Sequence, residues 1–124
     1  MDKPSDTLQI TYFGESRRLV MTFGLINALT GYINTPLDLI KVTNNPELQE
    51  LFLYEILSDR NEDGVIVQGA KTFSLDPETA IAVINWAVGH VNHFFIQTLT
   101  KQQNQFSQLL ALTSQPSGAT GSQG

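Results

Sequence analysis

The chain has 124 residues, which is enough for one domain of ordinary size with a single core. Its 12 acidic and 7 basic residues give a formal net charge of −5. This balance argues against nonspecific nucleic-acid binding and against an anionic membrane surface, because both need clustered lysine and arginine. The chain has no cysteine, which excludes disulfides, thiolate metal sites and a cysteine nucleophile.

The first six residues carry two acids and a proline where a signal peptide would carry basic and then apolar residues. No apolar run approaches the roughly 20 residues that a membrane span requires. We therefore expect a soluble, intracellular protein with neither nucleic acid nor membrane among its partners.

The N-terminal part has the pattern of a β-hairpin. Residues 7–12 alternate apolar and polar side chains, as in a half-buried strand. Residues 13–16 form a turn signal around Gly14, and residues 17–23 are rich in strand-favouring types. An antiparallel hairpin is the prediction, with a helical second half as the alternative.

Helical spacing follows the hairpin. Residues 24–33 carry apolar side chains over two to three turns, and residues 47–58 have a clear amphipathic face after an Asn-Asn-Pro start signal. Residues 37–42 fit either a short helical turn or an extended piece. Residues 59–64 are a polar turn, and residues 65–67 fit a short strand.

The longest regular element is predicted at residues 76–112. Asp76 before Pro77 is a helix start, because Asp caps the open N–H groups of the first turn and proline suits the first helical position. Trp86 falls outside the centre of the apolar stripe that follows, and the polar residues 101–105 predict a bend or fraying. The stripe, expected to be core, comprises Ile81, Ile84, Val88, Val91 and Phe95, and it is widened by Ala80, Val83, Ala87 and Phe94.

These patterns predict a mainly α (α+β) fold, with an N-terminal β-hairpin followed by a small helical bundle that has one long C-terminal helix. Residues 1–113 would form a single domain. Residues 114–124 are rich in Gly, Ser and Gln and are predicted to be a flexible tail.

The sharpest short motif lies in the polar turn, where Asp59, Asn61 and Asp63 fit the first half of a calcium loop. The twelfth position of such a loop should supply a bidentate glutamate, and here it is Ala70. An ordinary turn explains the same residues, because Asp and Asn side chains bond to nearby backbone. We therefore expect no bound metal and no cofactor, and keep a small calcium-binding module as an alternative.

His90 and His93 lie three residues apart on the long helix, and two imidazoles on one face can begin a zinc site. The chain has no further histidine or cysteine to complete it, so the prediction is a polar-face or interface role. No serine has a nucleophile-elbow context and no glycine-rich phosphate loop occurs. An enzyme is not expected.

The end of the long helix is the candidate partner-binding surface. A helix of 30-odd residues spans about 45–55 Å, whereas a compact domain of this size has a radius of gyration of roughly 14 Å. Its last third would then project and expose apolar side chains, unless the chain folds back at residues 101–105. The candidate residues are Phe94, Phe106, Leu109 and Leu110.

Three segments together resemble the tail assembly chaperones of long-tailed bacteriophages. They are ITYFGESRRLVMTFGLINAL at residues 10–29, ELQELFLYEILSDRNEDG at residues 47–64 and AIAVINWAVGHVNHFF at residues 80–95. The resemblance covers most of residues 7–100 and consists of apolar and aromatic positions.

Several expectations follow from this resemblance. A family member acts in the host bacterial cytoplasm, binds the tape measure protein or another phage tail protein, and keeps it soluble while the tail tube assembles. The resemblance implies no catalytic residues, and many members have a longer frameshifted product. Self-association into a homo-oligomer remains open. The alternative from the same setting is a structural tail or virion component that packs through its long helix.

Overall fold

The computed structural model describes the backbone of residues 3–114 and the side chains of residues 3–111. The chain divides into two compact units, Met1–His93 and Phe94–Gly124. Of the predicted flexible tail, residue 114 ends a helix and residues 115–124 lie outside the described part of the chain.

The predicted hairpin is confirmed. Strands β1 (Thr7–Tyr12) and β2 (Glu15–Val20) pair antiparallel, with Tyr12 opposite Glu15. The connecting turn is only the pair Phe13 and Gly14, whose φ angles of 50° and 84° are both positive. Positive φ at both central residues matches the right-handed twist of a hairpin, so the second strand begins two residues before the predicted position and the predicted four-residue turn is wrong.

Three helices follow, and two of them begin at a side-chain cap. Helix α1 (Phe23–Thr30) is capped by the Thr22 hydroxyl, and α3 (Pro46–Leu57) by the Asn45 side chain. Residues 37–42, which fitted either a helical turn or an extended piece, are helical from Asp38 onwards and belong to α2 (Asp38–Asn44). The predicted helices thus begin one residue earlier than expected, and α1 also ends three residues earlier.

A second small hairpin separates α3 from the long helix. Strand β3 (Asp59–Arg60) pairs antiparallel with β4 (Ile66–Gln68). The predicted polar turn therefore begins inside a strand. The turn itself closes around Gly64, whose φ of 81° favours glycine.

The long helix is α4 (Pro77–Ser114), with 38 residues. The predicted cap at its start is present, since the Asp76 carboxylate accepts hydrogen bonds from the amide and the hydroxyl of Thr79, at 3.0 and 3.1 Å. The helix is continuous through residues 101–105, where a bend or fraying was predicted, because all five residues are helical. Lysine and glutamine have good helix propensity, and this outweighs the interruption in the apolar pattern.

The buried core of the first unit draws on both hairpin strands and all four helices. The part of α4 that it uses shares Ile84 and Val91 with the centre of the predicted stripe and Val83 and Ala87 with its margin, but it is rotated towards Trp86. Trp86 is buried although it was placed outside the stripe centre, whereas Ile81, predicted as core, is 58% exposed. Phe95 and Val88 are only half-buried. The fully buried positions of α4 are Val83, Ala87 and Val91.

Candidate functional site

The second unit presents a row of large apolar side chains on the surface of α4. Their exposed fractions are 48% for Ile96, 45% for Leu99, 60% for Phe106, 57% for Leu109 and 49% for Leu110. We call these five residues the exposed stripe. Three of them, Phe106, Leu109 and Leu110, were predicted as partner-binding residues from the sequence.

Helical geometry places the five on one side of α4. At about 100° per residue they cover an arc of roughly 140°, which is the width of an apolar face that packs on another helix. Phe95 falls within this arc. Phe94, the fourth predicted partner-binding residue, is half-buried and lies about 120° around the helix from Phe106.

Sequence reasoning did not single out Ile96 and Leu99 as candidates. Both follow the three- and four-residue spacing that leads to Phe106, so continuing the apolar period back from that residue would have found them. The bend or fraying predicted at residues 101–105 divided the apolar pattern of α4 into two parts. Because the helix is continuous there, the apolar spacing extends past Gln102 and Gln103 to Phe106.

Charge is nearly absent from this part of α4. All 12 acidic residues of the chain lie between Asp2 and Glu78, and Lys101 is the only charged residue after Glu78. An uncharged apolar helix face binds by burial of surface and by shape, with little electrostatic steering. The chemistry available here is reversible contact with another apolar helix.

Histidine 90 has a structural role in the first unit. It is 3% exposed, and its Nε2 atom lies 2.7 Å from the carbonyl oxygen of Ser5. A carbonyl can only accept, so Nε2 carries the hydrogen. Trp86 donates to the same oxygen through Nε1, and the indole and imidazole rings meet edge-on at 5.2 Å. The predicted polar-face or interface role of His90 is therefore wrong.

The segment that includes Ser5 lies directly against α4. A Cβ atom built on Gly89 would come within 2.8 Å of the Pro4 ring, a distance that real Cβ atoms do not show. Glycine at position 89 is thus required by the close approach of Pro4.

Beside the Pro4–Ser5 segment, the Lys3 ammonium lies 2.9 Å from the Asp6 carboxylate. It lowers the pKa of Asp6 through the hydrogen bond and the charge.

A polar network ties α3 to the small hairpin. The Glu55 carboxylate accepts hydrogen bonds from the Tyr32 hydroxyl at 2.5 Å and from Arg60 Nη2 at 2.6 Å. Arg60 also donates to the carbonyl oxygens of Glu55 and Gly64, at 2.9 and 2.8 Å. The hydrogen bond to Glu55 raises the pKa of Tyr32 above its usual value, because ionised tyrosine could no longer donate it.

Of the three calcium-loop candidates, Asn61 stabilises the turn. The Asn61 side-chain oxygen accepts from the amides of Asp63 and Val65, at 2.9 and 3.0 Å. Asp59 lies 3.5 Å from Arg17. Among the described residues no group of three histidine, cysteine or acidic side chains is placed to hold a metal ion. Calcium binding stays a prediction, which calorimetric titration with calcium would test.

One open cavity of about 420 Å³ lies beside the N-terminal hairpin. Arg17 lines it and stacks over the Tyr12 ring at 5.1 Å. The Tyr12 hydroxyl accepts a hydrogen bond from the Lys71 amide at 3.3 Å. Arg17 and Tyr12 therefore both have contacts within the protein at the wall of this cavity.

Within the described residues, the stretch Pro77–Ala111 is long and apolar enough, by length and composition alone, to cross a membrane. The most apolar window of that stretch is 33% buried inside the protein. A core helix of a soluble protein passes the same test.

Comparison with known proteins adds no relative to this picture: no family model, no curated protein and no solved structure matches the sequence.

Proposed function

We propose that this protein is a phage tail assembly chaperone, which binds the tape measure protein in the host cytoplasm and keeps it soluble while tail tube subunits assemble. The observation that carries the proposal is the exposed stripe on α4. Large apolar side chains that are 45–60% exposed and aligned on one helix face are the feature through which helices bind apolar segments of other proteins.

The charge distribution supports the same role. The first unit carries all 12 acidic residues of the chain, and this charge favours solubility. The uncharged end of α4 leaves the stripe free of charges that would have to be desolvated on binding. A complex formed this way would gain the solubility of the acidic unit while it covers the apolar surface of the partner.

Reversibility follows from the size of the stripe. Each side chain that is about half exposed gains on the order of 1 kcal/mol when a partner covers the rest, and association entropy opposes the sum. A surface of five such residues can hold a helix and still release it when tube subunits compete. This behaviour is what assembly requires of a chaperone.

Co-expression of the tagged protein with the tape measure protein, followed by affinity purification and mass spectrometry, tests the proposal. The tape measure protein should be the main partner recovered, and the chaperone should be missing from purified mature particles. Failure to recover any tail protein would contradict the proposal. Presence in mature particles at a fixed ratio would identify a structural tail component instead.

A further inference from the structure

The exposed stripe has an internal symmetry about a point between Gln102 and Gln103. Together with the adjoining, half-buried Phe95, each apolar residue of the stripe has an apolar counterpart at the same distance on the other side of this point. The equidistant pairs are Leu99 with Phe106, Ile96 with Leu109, and Phe95 with Leu110.

From this symmetry we infer that a second copy of the chain covers the stripe, with the two α4 helices antiparallel and the two-fold axis between Gln102 and Gln103. A two-fold interface presents the same patch on both subunits. In this arrangement Leu99 faces Phe106 of the second copy. The glutamine pairs meet at the axis, where side-chain amides can donate to and accept from one another.

Side-chain size favours the antiparallel direction over the parallel one. Parallel helices in register would place Phe106 against Phe106 of the second copy. Two turns earlier they would place Leu99 against Leu99 of the second copy. The antiparallel direction instead sets each phenylalanine against a leucine, so the larger and smaller side chains alternate evenly along the contact. This evenness is the condition for close packing.

Charge favours the same choice. The residues up to Glu78 carry 12 acids and 6 bases, a net charge of −6, and the residues after Glu78 carry a single base. Antiparallel helices place the Glu78 ends of the two α4 helices at opposite ends of the contact, whereas parallel helices place them side by side. Within the contact itself no acidic residue repels its counterpart.

The contact is small. From Phe95 to Leu110 the helix rises about 24 Å, and the apolar side chains offer on the order of 500 Å² per copy. A standard stable interface buries roughly 800 Å² per partner. The pair is therefore expected to be a reversible dimer, half dissociated at micromolar concentration. The inference needs no partner protein and does not depend on the proposed function.

Sedimentation equilibrium of the full chain alone, from about 1 to 500 µM, tests the dimer. A monomer–dimer equilibrium is expected. Leu99→Asp should raise the dissociation constant at least tenfold, and Asn104→Asp, on the opposite side of the same helix, should change it less than threefold. Near-ultraviolet circular dichroism of the Trp86 band checks that both variants fold. A monomer at all concentrations, or a trimer or larger species, would overturn the inference.

Cysteine cross-linking tests the direction, since the chain has no cysteine of its own. Single variants Leu99→Cys and Phe106→Cys are oxidised separately and as an equal mixture. The antiparallel pair predicts that the mixture forms mainly the 99–106 disulfide. Faster formation of the 99–99 and 106–106 disulfides in the separate samples would show a parallel pair and overturn the assignment.

Discussion

Trp86 and Ser5 are joined across 81 positions of sequence by a hydrogen bond of 2.7 Å from the indole Nε1 to the carbonyl oxygen. His90 reaches the same oxygen at the same distance. The N-terminal segment is thereby fixed to α4 just before strand β1 begins. This contact links the first residues of the chain to the helix that organises the core.

Replacement of Trp86 with Ala should lower the free energy of unfolding by about 3–5 kcal/mol, because it removes a large buried side chain and one of the two donors to Ser5. Urea denaturation followed by far-ultraviolet circular dichroism measures the loss. Ile81→Ala is the matched control on the same helix, since Ile81 is 58% exposed. A loss below about 1 kcal/mol for Trp86→Ala would place the indole at the surface.

Removal of the Tyr32 hydroxyl should have a small effect at neutral pH and a clear effect in alkali. Tyr32→Phe deletes one hydrogen bond, which costs about 0.5–1.5 kcal/mol. Because folding raises the pKa of Tyr32, its contribution is fully present below the unfolded pKa of about 10 and is lost as pH rises through the folded value.

Urea denaturation from pH 8 to 11 checks this sign. The wild-type protein should lose stability faster than Tyr32→Phe over the alkaline part of the range. Tyr54→Phe is the control, since Tyr54 lies next to Glu55 on the same helix and is 38% exposed. Parallel curves for wild type and Tyr32→Phe would contradict the role of Glu55 as acceptor.

The start of α2 should be sensitive to acid. The Asp38 carboxylate accepts from the amides of Asn34 and Thr35, at 2.8 and 3.1 Å, and these bonds together with Lys41 lower its pKa. A depressed pKa contributes stability that is present above the unfolded value of about 3.9 and is lost as pH falls through the folded value. Asp38→Asn should therefore flatten the stability profile below about pH 4.

Thermal unfolding at several pH values between 2 and 7 measures this effect. The midpoint difference between wild type and Asp38→Asn should shrink as pH falls. Asp63→Asn is a control, because the structure gives the Asp63 carboxylate no such pair of backbone donors within the described residues. A constant difference at all pH values would show that the Asp38 charge has no part in the effect.

Substitution of the exposed stripe should affect association more than folding. Phe106→Ser with Leu110→Ser removes two apolar side chains that are 60% and 49% exposed, so the change in unfolding free energy should stay within about 0.5 kcal/mol. Denaturation is measured at a concentration well below that of self-association. A loss above about 2 kcal/mol in the monomer would show that these side chains are part of the folded core.

The sequence predicted most of the fold because local signals and tertiary packing agree there. The hairpin, the Asp76 cap and the amphipathic helices each have a local cause. The buried face of α4 was predicted in part: Ile84 and Val91 are buried as expected, but Ile81 and Trp86 were misplaced, because periodicity finds an apolar stripe without showing what packs against it. Trp86 and His90 contact the Pro4–Ser5 segment, and no pattern in residues 1–6 predicts that contact.

The candidate site was predicted only in part. Phe106, Leu109 and Leu110 were recognised because the helix was too long to be covered by the other elements. Ile96 and Leu99 were missed because the glutamine-rich stretch was interpreted as a break. Helix propensity decided against that interpretation.

The most direct test of the account is the solubility of the tape measure protein when it is co-expressed with this chain. The wild-type chain should keep most of it in the supernatant. Phe106→Ser with Leu110→Ser should leave it in the pellet, and Asn104→Ser with Gln108→Ser, on the opposite side of α4, should behave as wild type. Equal solubility with both double variants would contradict a function carried by the exposed stripe.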